Sequence, residues 1–225
     1  MTAELIFNLH GCGLPPKVVS DRARFFWITR PMLISLLETV ATTRSISSFP
    51  VAITFDDGNE SDATIALPEL VKRELRATFF VVAARIGMPH FLDRKALTDL
   101  VSAGMEIGTH GMYHRDWRKI DEAALNVEIL DARRRIEDTC GIAVTKVAIP
   151  FGSYDRRVLR RLRSEPFKHV YTSDGGLAES GAWLMPRQTI NRTLSEESIK
   201  GLVTRYPPLW ARLRCSLARI YKKLR

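Results

Sequence analysis

Residues 51–62 read VAITFDDGNESD, and this stretch decides how the rest of the chain is read. Val51 to Phe55 is rich in β-branched and aromatic side chains, which predicts a strand. It runs into Asp56 and Asp57, two adjacent carboxylates, with Gly58 allowing a tight turn. Adjacent acids repel, so holding both at one strand end requires a cation or hydrogen bonds. A divalent metal would supply the cation, with one Asp as ligand and the other left as a base. A solvated Asp-Asp-Gly turn is the plainer alternative, and the flanking sequence has to separate the two.

Outward from this strand the chain alternates short apolar runs with amphipathic ones. Leu5 to Leu9 predicts a strand, and Pro31 to Val40 a helix with Pro in its first turn. Residues 62–75 predict a helix disturbed by Pro68. Ala77 to Ala83 predicts a strand, and Asp93 to Ala103 a helix closed by Gly104. Met105 to Thr109 predicts a strand that delivers His110. Ile120, Ala124, Val127 and Leu130 mark a long helix over 119–140, ended by Gly141. Val144 to Ile149 predicts a strand ending at Pro150. A basic helix at 155–164 and strands at 168–173 and 184–190 complete the series. This rhythm predicts a parallel sheet with helices outside it, either open or closed into a barrel. Asp56/Asp57, His110, Pro150-Phe151 and Asp174 follow different strands, and residues drawn from many strands around one centre favour the barrel.

Two further motifs bear on chemistry. In EIGTHGMYHRDW (residues 106–117), His110 and His114 lie four apart with Gly111 between them. That spacing can aim two imidazoles at one metal, although a structural pair is the alternative. In VAIPFGSYD (147–155), Pro150 and Phe151 end a strand and Gly152 permits a turn, placing an aromatic ring where it could wall a sugar pocket. Together, one carboxylate and two imidazoles form a metal-binding set with open positions. The second carboxylate can take a proton from the water that the metal activates.

Composition narrows the alternatives. The chain has 225 residues with 34 Lys and Arg against 25 Asp and Glu, a net charge of +9. Seven of the basic residues lie in 205–225, which has no acidic residue, so the remainder is only +2. The body of the chain therefore offers little basic surface for nucleic acid. Cys12, Cys140 and Cys215 form no paired motif, which excludes a zinc finger. The N-terminus has no signal-peptide pattern and no apolar run approaches a membrane span. A cytoplasmic protein is the expectation.

The joint pattern of TFDDG, THGMYH about fifty residues on, and PFGSYD, with ATFFVV between, resembles the polysaccharide deacetylase (NodB-homology) family over about Leu5 to Thr193. The resemblance implies an α/β fold, a distorted, TIM-like (β/α) barrel of seven strands, over residues 1–206. It implies hydrolysis of an N-acetyl or related acyl group on a sugar, with a divalent metal, Zn2+ foremost and Co2+, Ni2+ or Mn2+ as alternatives. Carried over, Asp56 is the base, and Asp57, His110 and His114 are the metal ligands. Thr109 and the Pro150-Phe151-Gly152 segment shape the substrate site. Two departures stand out. The Arg often found two residues before the Pro is here Ala148, and the late Leu-x-His segment is replaced by WLMPRQTINRT (183–193), without a His. Arg187 is the candidate for the missing positive charge on the substrate side. His10, in NLHGCG, is the candidate proton donor, with a structural His as the alternative. An amidohydrolase acting on a small non-sugar amide and an inactive glycan-binding member are the rival functions.

The last segment, 207–225, is read as a basic amphipathic tail. After Pro207-Pro208, apolar residues fall at Leu209, Leu213, Leu217, Ile220 and Leu224 at near-helical period, with Trp210 and Tyr221 beside them. Such a helix either lies in an anionic membrane surface or packs its Leu stripe on the barrel. The first alternative would place the protein at the inner membrane face, near a lipid-linked glycan intermediate; free, lipid-linked and nucleotide-linked sugars are the substrate alternatives.

Overall fold

A computed structural model of the chain describes residues 3–43, 49–205 and 209–224. The strands are β1 (Ala3–Leu9), β2 (Val51–Asp57), β3 (Ala77–Val81), β4 (Glu106–Thr109), β5 (Lys146–Ala148), β6 (His169–Thr172), β7 (Ala178–Glu179), β8 (Leu184–Pro186) and β9 (Gln188–Thr189). The helices are α1 (Asp21–Arg24), α2 (Arg30–Thr43), α3 (Leu67–Lys72), α4 (Arg94–Ser102), α5 (Glu122–Asn126), α6 (Ala132–Cys140), α7 (Arg156–Arg163), α8 (Glu196–Thr204) and α9 (Leu209–Leu224).

Strands β1 through β6 pair in parallel in chain order, and β6 pairs with β8. Closure comes from a broken strand. The expected run 184–190 divides at Arg187: Leu184–Pro186 pairs with β6, and Gln188–Thr189 pairs with β1. Counting 184–189 as one interrupted strand gives seven parallel positions around a barrel. Counted separately, with the antiparallel β7 against β1, the sheet has nine strands. Pro186 lacks an N–H for the ladder, a local reason for the break.

The two-residue period of the strands sorts the core. Leu5, Phe7, Leu9, Ile53, Phe55, Phe79 and Val81 point outward into a large apolar layer shared with the helices. Ile6, Phe80, Ala148, Tyr171 and Met185 form a smaller cluster separate from it. Helices cover the outer layer with stripes three or four residues apart: Leu33, Leu36, Leu37 and Val40 on α2, Leu97 and Leu100 on α4, Val158 and Leu162 on α7. Each fully buried Leu contributes about 1.5–3 kcal/mol.

Several boundaries differ from the sequence reading. The helix expected over 62–75 opens with a wide π turn at Asp62–Ala66, and Pro68 falls in the first turn of α3, where its missing N–H does no harm. The single helix expected over 119–140 is α5, a π turn at Val127–Asp131, then α6. Strand β5 is shorter than 144–149. Strand β7 and helices α1 and α8 were not anticipated.

The tail is helical, and the described part of its apolar stripe faces outward. Leu217, Ile220 and Leu224 are 65%, 51% and 76% exposed. The contacts to the barrel come from Arg219, which donates to Gly175 O at 3.2 Å, and Lys222, which donates to Gly152 O at 2.9 Å and to Asp174. Pro207-Pro208 and Arg225, and the side chains of Leu209, Trp210, Arg212, Leu213 and Arg214, lie outside the described residues. No helix among the described residues is long and apolar enough to cross a membrane.

Candidate metal centre

Strand β2 carries Asp56 inward from a buried register opposite Phe80, while Asp57 ends the strand at φ 80°. That left-handed turn, continued by Gly58 at φ 69°, separates two carboxylates that neighbour each other in the chain. Asp57, His110 and His114 each present a ligand atom, and these atoms lie within 4.8 Å of one another. His114 Nε2 is 3.5 Å from Asp57 Oδ1. His110 Nδ1–H donates to Ala148 O at 2.8 Å, which fixes the tautomer and leaves Nε2 with its lone pair toward the cluster. Ala148, where the resemblance would place an Arg, orients a ligand through its backbone.

The electrostatics suit a ligand set. Burial pulls the His114 pKa down to about 4, with His110 adding to the shift, so the imidazole is neutral and able to ligate. Burial pushes Asp57 up, but His114, His10, His110 and Arg85 outweigh it and hold the carboxyl below its ordinary range. Arg85, from the turn after β3, donates to Asp57 Oδ1 at 3.1 Å. One carboxylate and two imidazoles fit a transition ion that keeps open positions.

Asp56 has different company. Arg187 grips it with two parallel bonds, Nη1 to Oδ1 at 2.7 Å and Nη2 to Oδ2 at 2.8 Å. The Arg187 guanidinium also donates to Thr54 Oγ1 and Thr172 O, and lies over the Phe80 ring at 5.2 Å. Burial raises the Asp56 pKa, but Arg187, His110 and His10 more than offset it, so the carboxylate stays ionised well below the usual range. Arg187 is fully buried, and this corrects its expected place. It is bonded to Asp56 inside the barrel, and so brings from the broken strand a positive charge in place of the one missing at position 148.

The remaining expectations divide. Phe151 is half exposed, at φ 59°, with its ring 4.5 Å from the His114 ring centroid. Pro150 and Gly152 are buried beneath it. Thr109 is buried, and its hydroxyl accepts from Gly111 N at 3.2 Å, so it shapes the histidine loop and does not face the mouth. His10 stacks on Phe26 at 5.1 Å beside Asp56 and Asp57, and its Nδ1 is buried with no hydrogen-bond partner.

Sequence reasoning missed Glu128 and Arg85. The Glu128 carboxylate is 1% exposed and accepts from Met112 N, Tyr113 N and Trp117 Nε1 at 3.0–3.2 Å. It anchors the loop that carries His114. A β-carbon on Gly111 would come within 2.5 Å of this carboxylate, and its φ of 84° suits glycine, so Gly111 is needed between the histidines. An acid on the buried side of the 119–140 helix was the available signal for Glu128.

The family model of polysaccharide deacetylase matches residues 44–170, which include every ligand and Asp56. The chain belongs to the polysaccharide deacetylase family. A chitooligosaccharide deacetylase of Bradyrhizobium is 32% identical over 122 residues, 53% of this chain and 52% of that protein. A peptidoglycan-N-acetylglucosamine deacetylase of Listeria monocytogenes is 26% identical over 113 residues, 50% of this chain and 23% of that one. The chain spans about half the length of the first two curated relatives it matches. Among solved structures, a Streptococcus pyogenes deacetylase in complex with acetate superposes with a TM-score of 0.78 at 18% identity, covering 91% of this chain and 99% of that one. This last likeness is one of fold, and it supports the distorted barrel.

Proposed function

We propose that this polysaccharide deacetylase family member is a metal-dependent de-N-acetylase of an N-acetylated sugar or glycan. The observation that carries the reading is the pairing of a buried ionised carboxylate, locked by Arg187, with a separate Asp-His-His set a residue away. A pure glycan binder gains nothing from that division. The relatives named for chitooligosaccharide and peptidoglycan deacetylation support the sugar substrate over a small non-sugar amide.

Asp57, His110 and His114 would hold the ion, Zn2+ by the chemistry of the donors. Bound there, it would polarise the acyl carbonyl and acidify a water. Asp56 takes the proton from that water as it adds to the carbonyl carbon. The Pro150–Gly152 turn offers little to the developing oxyanion: Pro150 has no N–H, and the Gly152 N–H is committed to Ile149 O at 3.0 Å. The Phe151 N–H is the donor of that turn in our mechanism. The C–N bond then breaks, and the amine leaves with the proton that Asp56 took from the water, which His10, with its unpartnered Nδ1, accepts and hands on. Burial lowers the His10 pKa, which favours a quick donor over a standing cation. The products are acetate and a free amino sugar.

Acetate release from N-acetylglucosamine oligomers, with and without chelator, tests the reading. Release that stops with chelator and returns with Zn2+ is expected, with His10→Ala slowed strongly at unchanged metal content. No release from any N-acetyl sugar by metal-loaded protein would sink it.

The outward apolar residues of α9, with Lys223 beside them, support contact with an anionic membrane surface, and hence a lipid-linked substrate at the inner face. Salt-sensitive flotation with anionic vesicles by the full chain, lost in a chain ending at Arg205, is the expected result. Equal flotation of both would remove the role.

A further inference from the structure

A cavity of about 550 Å³ opens beside Phe151, whose ring also meets that of His114. Its lining carries four cations, Arg22 from α1, Arg118 and Lys119 from the turn after the histidine loop, and Lys222 from α9. One lining carboxylate, Asp116, opposes them. Asp174, behind Lys222, supplies a second negative charge. The balance is thus +2 within a hydrogen-bond layer of the cavity, in a body whose overall charge is close to neutral.

These cations are arranged and not merely crowded. Arg118 Nε donates to Ser153 Oγ at 2.6 Å, and its Nη2 reaches Asp116 at 3.4 Å, which pins the guanidinium at the cavity wall. Lys222 crosses from the tail helix to the Gly152 carbonyl, 5.1 Å above the Tyr154 ring. Lys119 and Arg22 remain exposed at the rim. Phe151 is shared between the two places: its ring meets the His114 ring, and it also lines the basic cavity.

We infer that this cavity is an anion subsite that takes a phosphate group on the N-acylated sugar. The inference rests on the deacetylase reading above and names the substrate class of that same site. A carboxylate, at −1, would leave the cavity charged, whereas a phosphate carries about −1.5 to −2 at neutral pH. Guanidinium forks match phosphate geometry, and an ammonium adds a mobile point charge. Lys222 makes the tail part of the substrate site, because α9 sets one wall of the cavity.

Two measurements test this. Calorimetric titration of the full chain with pyrophosphate, in chelator to silence the metal, should show binding that weakens with salt. The Arg22→Ala, Lys119→Ala double variant should bind roughly tenfold or more weakly. No binding by the parent chain, or equal binding by both, overturns the subsite. The metal-loaded chain should then deacetylate N-acetylglucosamine carried on a nucleoside diphosphate or on a polyprenyl diphosphate in detergent roughly tenfold or more faster in kcat/KM than neutral chitobiose. The double variant should lose that preference. A higher rate on either carrier supports the subsite and identifies its source of phosphate. Acetate release with no phosphate preference overturns the subsite alone. Pyrophosphate binding with no acetate release from any sugar overturns the deacetylase reading alone.

Discussion

Asp56 and Asp57 are adjacent in the chain and sit in opposite surroundings. Asp56 continues the strand, is buried, and has both oxygens held by one guanidinium. Asp57 turns out of the strand, is partly exposed, and faces the His110 and His114 imidazoles with Arg85 at one oxygen. A carboxylate fixed by a fork cannot swing to a metal, whereas a carboxylate held by a single guanidinium bond, as Asp57 is by Arg85, keeps an oxygen for an ion. In the proposed mechanism, that difference lets one acidic dipeptide serve as base and ligand at once. The backbone turn at Asp57 separates the two roles, and the environment assigns them.

The sharpest way to break this comparison is to remove the fork. Arg187→Ala leaves Asp56 ionised and unpaired in the barrel, which should cost about 3–5 kcal/mol of stability and most of the turnover. Arg187→Lys restores charge without the parallel bonds, and should regain stability more than rate. Denaturant unfolding read beside kcat checks both. A stable, active Arg187→Ala protein would mean that Asp56 needs no partner.

On the ligand side, Glu128→Gln keeps the shape but weakens the acceptor that holds Met112, Tyr113 and Trp117. Metal affinity should fall roughly 10–100-fold, because the change acts through His114 and leaves Asp56 untouched. A metal titration checks this, and unchanged affinity would disconnect Glu128 from the centre.

The smallest effect is on pH. With His114 pulled down to about 4, the folded metal-free protein keeps it neutral, while the unfolded chain binds a proton below about 6.5. Stability from this source is complete above that value and is lost as pH falls toward 4. His10, also lowered by burial, has the same sign. Asp62, buried and pushed well up, has the opposite sign over this range. Asp56 and Asp57 lose their contributions only below the ordinary Asp value. The comparison is therefore between variants: from pH 7 to 4.5 the parent should lose about 2 kcal/mol more than His114→Gln. Parallel loss in both would remove the His114 shift.

What the sequence made legible was local. Asp57, His110 and His114 could be read because each follows a strand within a short motif, and the motifs needed only a barrel to meet. Arg187 could not be placed, since its partner lies 131 residues away and its direction depends on a strand that breaks at it. Pro186 was the one available sign, as a residue that cannot continue a central ladder. Glu128 was hidden by a helix read as continuous, where a π turn shifts the register of the buried face. The tail's period was legible, but which face turned outward was not, because that follows from Arg219 and Lys222 finding carbonyls on the barrel.

The central claim is that the two aspartates divide the work, and one paired measurement tests it. Asp56→Asn and Asp57→Asn are purified side by side, and each is assayed for bound metal and for acetate release from N-acetylglucosamine oligomers. Asp56→Asn should keep near-full metal and lose roughly 10²–10⁴-fold in turnover, because the base is gone and the ligands remain. Asp57→Asn should lose the metal itself. Equal metal loss in both, or full turnover by Asp56→Asn, would contradict the account.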